Sequence, residues 1–305
     1  MQRSMPQATR QSLVFAALAF VMWGLFPLYF RQLASVSPLE VLLNRSAWSL
    51  VFVFALLAWQ RRFAWLGPVL RQPRLLAMFA CSALLLSVNW LVYIYAVQAG
   101  QVVEASLGYF INPLVNVLLG ALVLGERLKR VQWIAVALAT AGVCWLTWLL
   151  GRPPWIALTL ACSFGVYGLM RKTATLGALE GLALETLLLA PVVVPALLWW
   201  TFFNGGALLQ GDIGIIGWLL LGGPLTALPL LCFAAGARGL PLATLGMVQY
   251  LSPTLQLVLG MWLFHEPFDG GRLVGFALIW SALALVSADA LGFRLARRPR
   301  IASRP

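Results

Sequence analysis

Charged residues are scarce in this 305-residue chain, where Asp, Glu, Lys and Arg together make up 10% and hydrophobic residues 62%. The mean hydropathy is correspondingly high, at +0.90. So little polar surface cannot coat a water-soluble globule of this length. The composition therefore excludes a soluble domain and predicts a polytopic membrane protein whose surroundings are the lipid bilayer.

Residues and motifs that carry chemistry are also few. Histidine occurs once, as His265, and the four cysteines lie singly in apolar runs without a CxxC pair. The chain contains no GxxxxGK[ST], HExxH or GxSxG motif. These absences argue against an ATP-driven pump and a membrane metalloenzyme. We predict no metal, no cofactor and no enzymatic activity.

The apolar runs predict an all-α integral membrane fold of ten transmembrane helices, at about 20 residues for each span. Their approximate ranges are 13–32, 39–59, 75–97, 103–124, 131–150, 154–171, 178–202, 214–235, 241–263 and 272–291.

Basic residues give the orientation of these spans. The net charge of +12 would suggest nucleic acid as a partner of a soluble protein, but here Lys and Arg lie in short loops. A cytoplasmic N-terminus places 17 of them inside and three outside, namely Arg31, Arg152 and Arg272. This bias predicts that both termini are cytoplasmic and that no nucleic acid is bound.

One stretch of the chain occurs twice. Residues 104–128 read EASLGYFINPLVNVLLGALVLGERL, and residues 244–268, which begin 140 positions later, read TLGMVQYLSPTLQLVLGMWLFHEPF. We predict two repeats of five helices, residues 1–150 and 151–291, followed by a basic tail at 292–305. Five crossings for each repeat invert the second copy, an arrangement that suits alternating access.

Three ionisable residues are candidates for an intramembrane gate. Arg45 lies inside a predicted span, and Glu185 occupies the equivalent position 140 residues later. A charge at this depth is costly and must pair, face water or reach the interface. We expect Arg45 to pair with Glu104 near the outer side. The alternative is that Arg45 and Glu185 each extend to their own interface.

Polar and aromatic residues inside the spans are candidates for a substrate cavity. Asn89 and Tyr93 share one helix face, with Trp90 beside them. Equivalent polar positions recur across the repeat, and a proline within each copy frees a backbone carbonyl. These positions include Tyr109, Asn112 and Gln249, and Tyr250 lies beside Gln249; Pro113 and Pro253 are the helix breaks. The alternative is helix packing, with Asn89 bonding across an interface.

Several motifs resemble one known family. GLFPLYF near the N-terminus, EASLGYFINPLVNVLLG, LEGLALETLLLAP and HEPF are similar to the RarD subfamily of EamA-type transporters, in the drug/metabolite transporter superfamily. The resemblance implies two inverted EamA repeats in a bacterial inner membrane. It also implies export of small organic molecules such as amino acids, metabolites or chloramphenicol-like drugs. It adds Trp23 and Tyr167 to the cavity.

A different class of function stays open beside the transporter. A sensor, a receptor or an integral enzyme acting on lipids would use the same cavity without moving a solute. Oligomeric state is left open between a monomer and a homodimer.

The charge bias generates a topology prediction. A reporter enzyme that is active only in the cytoplasm, fused after Arg304, should be active, because the basic loops hold both ends inside. The same fusion to a periplasm-specific reporter should be silent. Periplasmic activity would reverse the orientation of every span.

Overall fold

The computed structural model describes residues 7–125, 128–173, 175–209, 212–240 and 248–296. Helices joined by short connections account for these ranges, and no strand occurs within them. The helices are α1 Gln7–Gly24, α2 Phe26–Gln32, α3 Pro38–Trp59, α4 Leu66–Leu70, α5 Pro73–Gln98, α6 Val102–Leu124, α7 Arg130–Leu150, α8 Trp155–Thr173, α9 Ala178–Phe203, α10 Ile213–Gly239, α11 Leu251–Trp262 and α12 Gly270–Ala296. The predicted all-α fold is confirmed.

Eight helical stretches in the described ranges are long and apolar enough to cross a membrane. The chain is therefore a multi-pass membrane protein. Two of the ten predicted spans are shorter: α8 has an apolar stretch of Trp155–Arg171, and α11 has 12 residues. Residues 241–247, at the start of the span predicted at 241–263, lie outside the described part.

The first predicted span is interrupted, and proline explains the interruption. Helix α1 ends at Gly24 and α2 begins at Phe26, with Pro27 in the first turn of α2. Pro27 has no N–H to donate to the carbonyl of Trp23, four residues earlier. The side-chain amide of Gln256, on α11, donates to that carbonyl at 3.2 Å. The carbonyl that the break leaves free thus links α1 to α11 through a hydrogen bond.

Contacts between the two halves of the chain come in matching pairs. Helix α1 packs on α10 and α11, while α8 packs on α5 and α6. A Cβ at Gly24 would lie 2.8 Å from Leu255, and one at Gly165 would lie 2.8 Å from Val115. These two approaches are related by offsets of 141 and 140 residues along the chain. Helices α3 and α9 also pack together, as do α7 and α12.

Two glutamates, one in each half of the chain, each bind a loop of the opposite half. Glu40, in the first turn of α3, accepts a hydrogen bond from the N–H of Ala207 at 2.6 Å. Glu180, in the first turn of α9, pairs with Arg62 at 2.7 Å. Each carboxylate lies near a helix N-terminus, where the helix dipole favours negative charge. The N-terminal end of α3 is therefore bound to the loop after α9, and the N-terminal end of α9 to the loop after α3, by equivalent glutamates.

The packing of α1 on α10 generates a stability prediction. A Cβ at Gly236 would lie 2.6 Å from the backbone nitrogen of Ala16, whereas one at Gly217, also on α10, meets nothing within 4 Å. Gly236→Ala should therefore destabilise the protein by about 1–3 kcal/mol, the usual effect of overpacking. Gly217→Ala should leave the apparent Tm in detergent unchanged or raised. Equal Tm values for the two variants would contradict this packing.

A candidate substrate site around a buried arginine

Arg45 and Glu185 are the two most buried charges of the predicted site. Arg45 lies in the second turn of α3 and is 2% exposed. Its Nε donates to the hydroxyl of Thr226 on α10 at 2.6 Å. Thr226 in turn donates to the carbonyl of Gly222 in its own helix, at 2.7 Å. One edge of the guanidinium is therefore fixed by a neutral hydroxyl.

Aromatic rings cover the guanidinium. Its central carbon lies 3.9 Å from the ring centroid of Trp90, 5.1 Å from Phe26 and 5.6 Å from Phe30. Each ring presents its negative face to the cation, and such contacts contribute about 2 kcal/mol or more when desolvated. Helices α2, α3, α5 and α10 meet at this point.

The expected pairing of Arg45 with Glu104 is wrong. Glu104 instead binds Arg152 at 3.1 Å and accepts from the N–H of Ile156 at 3.1 Å. The physical reason is local. Glu104 begins α6 beside the start of α8, where backbone N–H groups and Arg152 supply complementary charge. Arg45 lies in a different helix interface, against α5 and α10.

A continuous series of aromatic rings extends from Arg45 across the bundle. Its centroid separations are 5.8 Å for Phe30 and Tyr93, 5.7 Å for Tyr93 and Tyr109, and 6.3 Å for Tyr109 and Phe164. Phe164 then lies 5.7 Å from Tyr167. We call this set the aromatic series. The structure thus connects Tyr93, Tyr109 and Tyr167 of the predicted site, with Trp90 against Arg45 at one end.

The predicted asparagines are engaged with α8. Asn89 donates to the carbonyl of Leu160 at 3.0 Å and to the hydroxyl of Ser163 at 2.9 Å. Asn112 donates to the carbonyl of Ala161 at 3.2 Å. Both amides therefore contact α8, and the Oδ1 of Asn89 also accepts a hydrogen bond from the hydroxyl of Tyr109 at 3.5 Å.

The repeat also pairs polar side chains within helices. Asn116 donates to Asn112 at 3.0 Å in α6, and Gln256 donates to Ser252 at 3.3 Å in α11. Both pairs have the i, i+4 spacing and are related by the 140-residue offset. Pro113 lies inside α6, whereas Pro253 lies in the first turn of α11, because that helix begins at Leu251.

Three predicted site residues lie apart from the aromatic series. Trp23 contacts Phe20 and Phe233, at centroid separations of 5.4 and 5.8 Å. Tyr250 stacks on Phe110 at 6.5 Å, in a cavity bounded by α12. Gln249 is half-buried in the turn that precedes α11.

Glu185 forms a second buried polar group, between α5, α8 and α9. It is 2% exposed, accepts a hydrogen bond from Ser82 and lies 3.9 Å from a nitrogen of Arg171. Arg45 and Glu185 therefore have separate surroundings. Both side chains are buried and neither extends to the surface of the bundle.

A further carboxylate lies at the end of the bundle where α6 begins. Glu266 follows α11 and accepts hydrogen bonds from the N–H groups of Val102 and Val103. Burial raises the pKa of the Glu266 carboxyl, while these two amide bonds act in the opposite direction. Glu126, its equivalent in the first repeat, lies outside the described residues.

Sequence reasoning missed Phe26, Phe30 and Thr226. The first two were visible as an i, i+4 aromatic pair within GLFPLYF, which marks one helix face. A threonine among leucines gives no comparable signal, because Thr226 forms its bond with Arg45 across 181 residues of sequence.

The corrected pairing generates a prediction about coupling energies. A double-mutant cycle of Glu104→Gln and Arg152→Gln should show a coupling of about 0.2–1 kcal/mol in thermal stability, small because the pair is partly exposed. The matching cycle of Glu104→Gln with Arg45→Gln should be additive. Coupling confined to the second cycle would restore the pairing with Arg45.

Comparisons with known proteins agree with this architecture. Residues 10–148 match the EamA-like transporter family. An uncharacterised transporter of Pseudomonas aeruginosa is 46% identical over 92% of this chain and 94% of its own length. The protein named RarD of Escherichia coli is 41% identical over 93% and 96% respectively. A solved crystal structure shares the fold, with a TM-score of 0.58, 20% identity and coverage of 93% and 98%. The chain therefore belongs to the RarD subfamily of EamA-type transporters.

Proposed function

We propose that this protein is a secondary transporter that exports small organic amphiphiles across the bacterial inner membrane by alternating access. Its proposed solutes are amino acids, metabolites or chloramphenicol-like drugs. The proposal includes ten membrane crossings in two inverted repeats, 1–150 and 151–291, with both termini cytoplasmic. It treats the protein as a transporter and not as an enzyme.

The observation that carries the proposal is the matched packing of the two halves. The approach of Gly24 to Leu255 and that of Gly165 to Val115 use equivalent positions in opposite halves. Such equivalence supports an inverted repeat, in which one bundle rocks against the other around a central site. The match of the EamA family to residues 10–148, about the length of the first proposed repeat, supports the same division.

The aromatic series supports an amphiphilic solute. Its rings lie in the bundle interior. Tyr109 in the series and Trp90, which lies over Arg45, are half-buried, so part of each side chain is not covered by protein. Small-molecule sites are mostly apolar, with a few placed polar groups that orient the ligand. Arg45 and the tyrosine hydroxyls are the polar groups of this site.

Reconstitution tests the proposal. Proteoliposomes should accumulate or release at least one member of a radiolabelled panel of amino acids and neutral, cationic and anionic amphiphiles, measured with and without a pH gradient. Protein-free vesicles and vesicles carrying denatured protein are the controls. Saturable binding without transport of any solute would instead indicate a sensor or receptor. Chemical modification of lipid would indicate an enzyme.

The site generates a prediction for the same assay. Tyr93→Ala should raise KM about two- to twelvefold, because in the proposed site it would remove an aromatic contact with the solute of about 0.5–1.5 kcal/mol. Tyr95→Ala is the matched control, since Tyr95 lies on the same helix but is exposed and packs on Trp155. Equal kinetics for the two variants would remove Tyr93 from the site.

A further inference from the structure

We propose that Arg45 binds the carboxylate of the transported solute, so that the substrates are organic anions with an apolar or aromatic body. This inference rests on the proposed transport function and names its substrate class. It starts from the absence of a counter-charge. Among the described residues, no carboxylate oxygen lies within 4.0 Å of the Arg45 guanidinium, whereas Glu104, Glu180, Glu185 and Asp289 each have a basic partner.

The aromatic rings compensate only part of the charge. A guanidinium stacked on a ring presents its N–H donors along its own plane, away from the ring faces. Trp90 covers a face of Arg45, and Thr226 accepts from Nε. The buried Nη1 has no hydrogen-bond partner within the described chain. The guanidinium therefore keeps donor capacity in its plane, where a carboxylate oxygen binds best.

Neighbouring donors in the same interface are also unpaired. Trp48 lies one turn after Arg45 on the same face of α3, and its buried indole Nε1 has no partner in the described residues. The buried hydroxyl of Tyr93 likewise has no hydrogen-bond partner among the described residues. Tyr93 packs on Phe30, the ring that also faces Arg45. Unsatisfied buried donors are rare and costly inside a membrane protein. Together these groups match a ligand that brings acceptors and negative charge.

The ring series defines the rest of the ligand. Phe30, Tyr93 and Tyr109 continue directly from the guanidinium into the bundle. An anion bound at Arg45 would place its attached carbon skeleton along these rings. Arginine stays protonated at every physiological pH, so the charge preference of the site does not titrate.

Direct binding tests the inference on purified protein in detergent. The probes are 4-phenylbutyrate, its neutral amide and 4-phenylbutylamine, which share one skeleton and differ in charge. The carboxylate should bind about tenfold or more tightly than the amide and the amine, as measured by titration calorimetry and by thermal stabilisation. Equal affinity for acid and amide would overturn the inference. Equally effective competition by chloride or inorganic phosphate would also overturn it, because the site would then bind small anions without regard to the carboxylate.

Substitutions at Arg45 test whether this residue causes the preference for the carboxylate. Arg45→Gln should bring the acid-to-amide ratio close to one, and Arg45→Lys should give an intermediate ratio, because an ammonium keeps the charge but loses the planar stack. Arg71→Gln, in an exposed loop, is the matched control and should retain the wild-type ratio. An unchanged ratio in folded Arg45→Gln would place the anion elsewhere. If that variant fails to fold, the Arg45→Lys ratio and the wild-type probe series still decide the question.

Transport assays separate this inference from the function on which it rests. Export of neutral or cationic amphiphiles, with the carboxylates excluded, would leave the transporter standing and overturn the anion site. Binding of 4-phenylbutyrate that depends on Arg45, without movement of any solute, would sustain the anion site and overturn the transporter.

Discussion

No bulk water reaches the hydrocarbon core of a bilayer, so polar groups there must find their partners within the protein. This constraint explains most side-chain hydrogen bonds inside the bundle. The amides of Gln256, Asn89 and Asn112 each donate to a backbone carbonyl of another helix. Arg45 is the charge for which the described residues supply only a hydroxyl and ring faces. Buried polar atoms without a partner do occur, and three of the donors among them, on Arg45, Trp48 and Tyr93, lie near the start of the aromatic series.

Two kinds of contact join the two halves of the chain, close packing at glycines and hydrogen bonds or ion pairs at carboxylates. Small residues set the distances between helices, as Gly24 does against Leu255 and Gly165 against Val115. Carboxylates at the first turns of α3 and α9 then fix the loops of the opposite half. These contacts need only a glycine or a glutamate at the equivalent position, so a duplicated sequence can supply both copies. The contacts that match between the two halves are therefore generic ones.

Sequence patterns predicted the elements of this fold but not all of its contacts. The all-helical membrane fold and the paired polar positions in α6 and α11 followed from hydropathy and from the 140-residue offset. The break after Gly24 was missed, although Pro27 was visible, because length alone treats 13–32 as one apolar run. The pairing of Arg45 with Glu104 was wrong because sequence gives the depth of a residue but not the neighbouring helix. Arg152 and the start of α8 lie next to Glu104. Hydrophobic periodicity along the sequence does not predict which helix ends lie side by side.

The two halves of the proposed repeat differ in charge at Arg45 and Glu185. Arg45 and Glu185 occupy equivalent positions, yet Arg45 packs among rings and Glu185 contacts Ser82 and Arg171. In the proposed alternating cycle, an exchange of the two halves would exchange a cation for an anion. The proposed inward-facing and outward-facing states would therefore differ in electrostatic free energy even if their helix packing were equivalent. A bound organic anion would offset the charge of Arg45 alone, so its binding would change the balance between the two states without any change in the scaffold.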